Sequence, residues 1–93
     1  MTIVITHAPV HSRYELRVDD DLVGVADYLE RDGRVVFPHT EILSTHRGRG
    51  LAAQLVRYAL DDVRRSGRPV VASCWYVAEF IDEHPEYQDL LVA

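Results

Sequence analysis

Polar and apolar residues alternate strictly between Arg13 and Val18. Tyr14, Leu16 and Val18 fall on one side of the chain and Arg13, Glu15 and Arg17 on the other. A period of two is the mark of a half-buried strand. Upstream, Ile3-Val4-Ile5 reads as a short strand ended by His7-Ala8-Pro9. Downstream, Asp19-Asp20-Asp21 turns the chain into a third strand, Leu22 to Glu30. Alternation puts Val23, Val25 and Leu29 on one face of it, while Gly24 and Ala26 on the other leave room for something bulky. Asp32-Gly33 is a hairpin turn, because both residues tolerate positive φ. Arg34 to Leu43 is the fourth strand, with Val35, Phe37, His39 and Glu41 expected on one face and Val36, Thr40 and Ile42 on the other. Pro38 cannot donate a ladder hydrogen bond and so marks an edge or a bulge. A bulge would splay this strand from a neighbour and open a slot; a regular ladder through Pro38 would exclude it.

From about Gly48 the period lengthens. Leu51, Leu55, Ala59 and Val63, flanked by Ala52, Val56 and Leu60, form an apolar stripe at helical spacing as far as Ser66. Arg57, Asp61 and Arg65 stand four apart on the wet side, where they are expected to pair along the helix. Gly67 suits the left-handed cap position, and Pro69 follows. Val70 to Ser73 is a short apolar run suited to a buried strand, ended by Cys74. Trp75 to about Glu83 reads as a second helix with Val77, Phe80 and Ile81 inward, halted at Pro85. Tyr87, Leu90 and Leu91 are expected to pack the tail onto the body. The helix between the fourth and fifth strands makes those two candidates for parallel pairing. With no repeat, low-complexity tract or linker, one compact domain over residues 1–93 is expected.

Composition narrows the function classes. The 93 residues are 47% hydrophobic and 27% charged, as in an ordinary soluble globular protein. Basic and acidic residues number 10 and 15, so the net charge of −5 disfavours a general nucleic-acid binder. No apolar run approaches the ~18 residues of a membrane span, and Met1 to Ile5 lacks the features of a signal peptide. The single cysteine, Cys74, cannot form an internal disulfide, and the expected setting is cytoplasmic. His7, His11, His39, His46 and His84 form no metal-ligating spacing, so no metal is expected. Against this acidic background His46-Arg47-Gly48-Arg49-Gly50-Leu51 is a local positive spot where a strand ends and the best helix begins. Unpaired amides at a helix N-terminus, with glycines that let a ligand approach, make an anion site. There is no Gly-Lys-Ser/Thr ending of a P-loop and no G-x-G-x-x-G of a dinucleotide fold.

Three segments carry a family resemblance: Phe37-Pro38-His39-Thr40-Glu41-Ile42, Arg47-Gly48-Arg49-Gly50-Leu51-Ala52, and Ser73-Cys74-Trp75-Tyr76-Val77 with His84-Pro85-Glu86-Tyr87 after it. With the strand order they resemble GNAT acetyltransferases, and more specifically the very small GNAT-like domains that lack the usual N-terminal helices. Gly48 and Gly50 match the glycines of the superfamily pattern Q/R-x-x-G-x-G/A, while Thr45 stands in its first position. The resemblance implies an α+β fold of the three-layer α/β GNAT type. It would hold a mostly antiparallel mixed sheet of about five strands, a long helix after strand 4 and a second helix after strand 5. It further implies acetyl-CoA in a slot between strands 4 and 5. The pantetheine arm would pair with the backbone of Glu41, Ile42 and Leu43, and the pyrophosphate would rest on Arg47, Gly48, Arg49, Gly50, Leu51 and Ala52. In the small domains the cysteine matching Cys74 lies close to the cofactor thiol.

Acetyl transfer from a thioester to an amine needs a proton acceptor and a donor for the departing thiolate. Glu41, late in strand 4, is the first candidate base, or else a solvated strand-end carboxylate. His39 is a second candidate base or a group that orients the acceptor; otherwise it is a half-buried, hydrogen-bonded histidine. Cys74 is either an acyl relay, its thiol sharpened by a helix N-terminus, or a small packing residue of the slot. Tyr76 is a candidate acid or simply a wall of the slot, and Trp75 belongs to the core or lines the groove. The leading expectation is an N-acetyltransferase using acetyl-CoA and an amine, either a small molecule or a protein lysine or N-terminus. The alternative is a CoA-binding or protein-interaction module with little or no catalysis. The acceptor and the oligomeric state stay open.

Overall fold

The computed structural model describes residues 1–91; residues 92 and 93 of the expected domain lie outside them. Five strands form one sheet in chain order: β1 (Ile3–Ala8), β2 (Arg13–Val18), β3 (Asp21–Arg31), β4 (Arg34–Ile42) and β5 (Val70–Ala72). The first four pair antiparallel, and β5 runs parallel to β4. Helix α1 (Leu51–Ser66) connects β4 to β5, and α2 (Trp75–Glu83) comes after β5. This is the mixed sheet with one helix after strand 4 and another after strand 5. The first strand runs past His7, and a short 3₁₀ turn, Pro9–His11, takes up the proline.

α1 buries Leu51, Leu55, Val56, Ala59, Leu60 and Val63, the stripe its period requires, and Gly67 closes it with φ +75° and an N–H donated to the Arg64 carbonyl. α2 buries Val77, Phe80 and Ile81. Both helices enter one continuous core with Leu16, Phe37 and Val70 of the sheet. They also touch each other, with the Arg57 guanidinium 5.6 Å from the Phe80 ring centre. The opposite face of the sheet carries no helix among the described residues, so they build two of the three layers, sheet and helices. One expectation about side-chain pairing is corrected. Arg57, Asp61 and Arg65 do not pair with one another along α1. Arg57 and Asp61 instead reach Glu86 and the Tyr87 hydroxyl in the segment Pro85–Leu90, and Arg65 pairs with Asp62. For Arg57 and Asp61, tertiary partners with fixed positions win over flexible neighbours one turn away, while Arg65 keeps a helical neighbour, Asp62 three residues back.

Two register shifts decide which residues face the core. Between β2 and β3 the extra residue is Val23, and between β3 and β4 an extra residue sits on β4 at Phe37-Pro38. An added residue reverses the inside–outside parity of the strand beyond it. Val35 and Phe37 therefore point into the core, as expected, but His39 and Glu41 do not share their face. Thr40 and Ile42 turn inward instead, and His39 and Glu41 are exposed. On β3 the core face is Gly24, Ala26 and Tyr28, together with the bulged Val23, while Val25 and Leu29 lie on the outer side. Gly24 stands opposite both Leu16 and Ile42, and the room expected beside it is taken by the Ile42 side chain.

Candidate cofactor cleft and reaction site

β4 and β5 stay paired only as far as Phe37 and Ala72. The Cys74 amide donates the last link, 2.7 Å to the Phe37 carbonyl, and beyond it the Pro38 bulge carries β4 away. The cleft that opens has a volume of about 720 Å³. His39, Thr40, Glu41 and Ile42 line one side, Ser73, Cys74, Trp75 and Tyr76 the other. The bulge expected at Pro38 is present, and the slot lies beside it.

The wall formed by β4 is half saturated. Leu43 N–H donates 2.8 Å to the Val23 carbonyl, and Glu41 stands opposite Val25. Since alternate residues of an antiparallel strand turn their polar groups to opposite edges, the backbones of Glu41 and Leu43 face β3. Those of Thr40 and Ile42 face the cleft. Of the expected backbone trio, then, Ile42 meets the slot, joined by Thr40. The Ile42 carbonyl already accepts the Arg47 Nε–H at 2.9 Å, which holds the arginine at the cleft's end. Thr40 Oγ1 is buried without any hydrogen-bond partner. Such an orphan costs about 1–3 kcal/mol, which a polar ligand in the cleft would offset.

A second hollow of about 220 Å³ continues the first, sharing Ile42, Arg47, Ala52 and Tyr76 and adding His46, Gly48, Gly50 and Leu51. Gly48 and Gly50 have φ +81° and +73°, and a Cβ built on either would meet nothing within 4 Å. The backbone there borders open space in a conformation that suits glycine. No side chain caps the first turn of α1, and no acidic residue stands in it. Its amides are therefore free to hold an anion, with the helix dipole behind them. Arg49 is exposed and lines neither hollow. Leu43 lies instead with Leu22, Val25 and Glu41 in a separate shallow hollow of the outer sheet face.

The four candidate reactive side chains meet at the larger hollow. His39 Nε2 and Glu41 Oε1 are 3.1 Å apart, each about half exposed. Cys74 stands at the N-cap of α2 and is part-buried. Tyr76 lines both hollows. Burial, reinforced by Glu79 and Glu83, raises its hydroxyl pKa, so it stays protonated and able to donate. Trp75 is 73% exposed, a rim residue and not core. Thr40 and Ser73 were not singled out by sequence. Both stand in the segments that carry the family resemblance, and Thr40 shares its alternation with Ile42, but no chemistry of its own marked either as a site residue. Among the described residues no group of three or more His, Cys, Asp or Glu could hold a metal, and no helix is long and apolar enough to cross a membrane. The whole arrangement suits an extended ligand with a hydrogen-bonding arm and an anionic end.

The family profile described as GCN5-related N-acetyl-transferase matches residues 13–90. Protein NATD1 of Bos taurus is 40% identical over 47 residues, which span 50% of this chain and 42% of that protein. Protein NATD1 of Danio rerio is 27% identical over 93 residues, spanning 95% of this chain and 84% of that protein. A GCN5-like protein of Staphylococcus aureus, solved by NMR, shares the fold with a TM-score of 0.75 at 16% identity, over 97% of this chain and 88% of that one.

Proposed function

The chain belongs to the GCN5-related N-acetyl-transferase family, and on that premise we propose that it transfers an acetyl group from acetyl-CoA to an amine. The observation that carries the reading is the continuity of the two hollows, from Glu41 and Cys74 through Ile42 and Arg47 to the uncapped start of α1. The Gly48–Ala52 amides and Arg47 hold the pyrophosphate. The backbones of Thr40 and Ile42 and the orphan Thr40 hydroxyl hold the pantetheine amides. Acetyl-CoA, when bound, supplies the activated thioester. Glu41, oriented by His39 at 3.1 Å, takes the proton of the attacking amine directly or through water. The Tyr76 hydroxyl gives a proton to the departing thiol sulfur. The lone thiol fits a reducing, cytoplasmic setting.

Titrating the protein with acetyl-CoA, CoA and ATP while following its melting temperature tests the cleft: the CoA species should raise it and ATP should not. Thiol release with a panel of amines then tests transfer. A second reading, a CoA-binding module without transfer, draws on the half-exposed Glu41 and His39, which stand on a sheet face that nothing covers among the described residues. It would be favoured by CoA stabilisation without thiol release for any amine.

A further inference from the structure

Ten arginines and no lysine supply the basic charge of this chain. Six are committed to carboxylates: Arg13 and Arg17 to Glu15, Arg57 to Glu86, Arg64 to Asp89, Arg65 to Asp62 and Arg68 to Glu30. Arg47 is fixed on the Ile42 carbonyl. Arg49 is on the glycine loop. The remaining two, Arg31 and Arg34, have no carboxylate partner among the described residues, and they stand directly opposite each other across the β3–β4 hairpin. Like charges in that position destabilise a sheet, and the turn itself requires only Asp32 and Gly33, at φ +53° and +76°. The pair therefore needs another explanation.

These arginines border a hollow of about 220 Å³ on the outer sheet face, with Val36 and Val71 and, at its inner end, Ser73. Ser73 also lines the cleft. The same outer face carries His39 and Glu41. A continuous track thus runs from the proposed base, past Ser73, over an apolar pad of two valines, to two unpaired guanidinium groups. Asp32 borders the hollow as well, which leaves one net positive charge there.

Resting on the acetyltransferase reading, we propose that the acceptor is an amine bearing a carboxylate, and that Arg31 and Arg34 are a specificity site for that carboxylate. The amine lies at Glu41 and His39, and a short apolar spacer crosses Val36 and Val71. Arg34 and His39 are about 13 Å apart along β4, at ~3.3 Å per residue less the bulge. Both arginines line one hollow with Ser73, so guanidinium groups turned toward Ser73 shorten the span to that of a short ω-amino acid. Guanidinium forks suit a carboxylate in two-point contact.

The test compares three amines of one length: 6-aminohexanoate, hexylamine and 1,6-diaminohexane. The peptide Ala-Ala-Asp amide, a fourth arm, separates a free amino acid from a protein N-terminus as the source of the acid. 6-Aminohexanoate should be the best acceptor. R31Q/R34Q should raise its KM about tenfold, the loss of one charge-assisted contact, with kcat and the KM for hexylamine unchanged. R31K/R34K should recover part of the loss. An unchanged melting shift with acetyl-CoA shows that the variants are folded. Equal KM values for the three amines, or a double variant with unaltered preference, would overturn the proposal. If no amine releases thiol, the transfer reading fails. Backbone amide shifts at residues 31–36 and 71–73 on adding 6-aminohexanoate still decide the carboxylate site, and their absence ends it.

Discussion

A Cβ on Gly24 would lie 2.6 Å from Ile42 Cδ1, inside any permitted contact. The glycine is thus kept by a neighbour and not by its own backbone. Gly24→Ala should destabilise the fold by about 1 kcal/mol, because one δ-methyl must yield in a filled core. It should also weaken acetyl-CoA binding, since Ile42 is a wall of the cleft; urea denaturation and a binding titration measure the two effects separately. Cys74 is the other residue whose role a single change resolves. As a small part-buried packing group, it should be replaceable: Cys74→Ala is expected to keep both acetyl-CoA binding and transfer. An acetyl adduct that neutral hydroxylamine removes from the native chain, as it does a thioester and not an amide, and that the variant lacks would point to the thiol. Loss of that adduct together with loss of transfer in the variant would establish a relay.

At the scale of elements, β2 carries on its outer face a charge cluster of its own, in addition to the ladder that pairs it with its neighbours. The Glu15 carboxylate is 8% exposed and takes Arg13 at 2.7 Å and Arg17 at 2.9 Å. Arg17 first, then Arg13, lower its pKa below the ordinary value of 4.5. A lowered folded-state pKa means that the stabilisation is fully present above about pH 4.5 and is lost as the pH falls through the folded value. Glu15→Gln should therefore cost about 1–2 kcal/mol near neutrality, the worth of charge-assisted hydrogen bonds with partly exposed partners. Its denaturation curve should converge on that of the native chain in acid. A gap that persists undiminished in acid would mean that packing, not charge, holds the residue.

For the whole molecule, the decisive quantity is how strongly a filled cleft stabilises the fold. At a hundredfold excess over Kd a ligand adds about 2.7 kcal/mol, which in a domain of this size raises Tm by roughly 10 °C or more. Acetyl-CoA should reach that range, since its site joins two strands and the start of α1. Gly50→Ala should abolish most of the shift. It forces a Cβ into φ +73° and into the space above the loop, at a folding cost of about 1 kcal/mol. A full shift in this variant would move the anion site away from the glycine loop.

The alternation of Tyr14, Leu16 and Val18, the helical stripe from Leu51 to Val63 and the turn at Asp32-Gly33 made the order of elements and the β4–α1–β5 connection legible, because periodicity and turn chemistry are local. The glycine loop and the Pro38 bulge were legible for the same reason: a missing Cβ and a missing N–H are properties of single residues. Alternation could not track parity across a bulge. One extra residue at Phe37-Pro38 turned His39 and Glu41 out of the core face and brought Thr40 in, a shift that only pairing with β3 defines. Partners far apart in sequence were equally hidden. Arg57 and Asp61 meet Glu86 and Tyr87, not each other, and Arg31 and Arg34 stand at the end of a track leading to Ser73. Such contacts depend on where whole elements dock, so tertiary structure alone decided them.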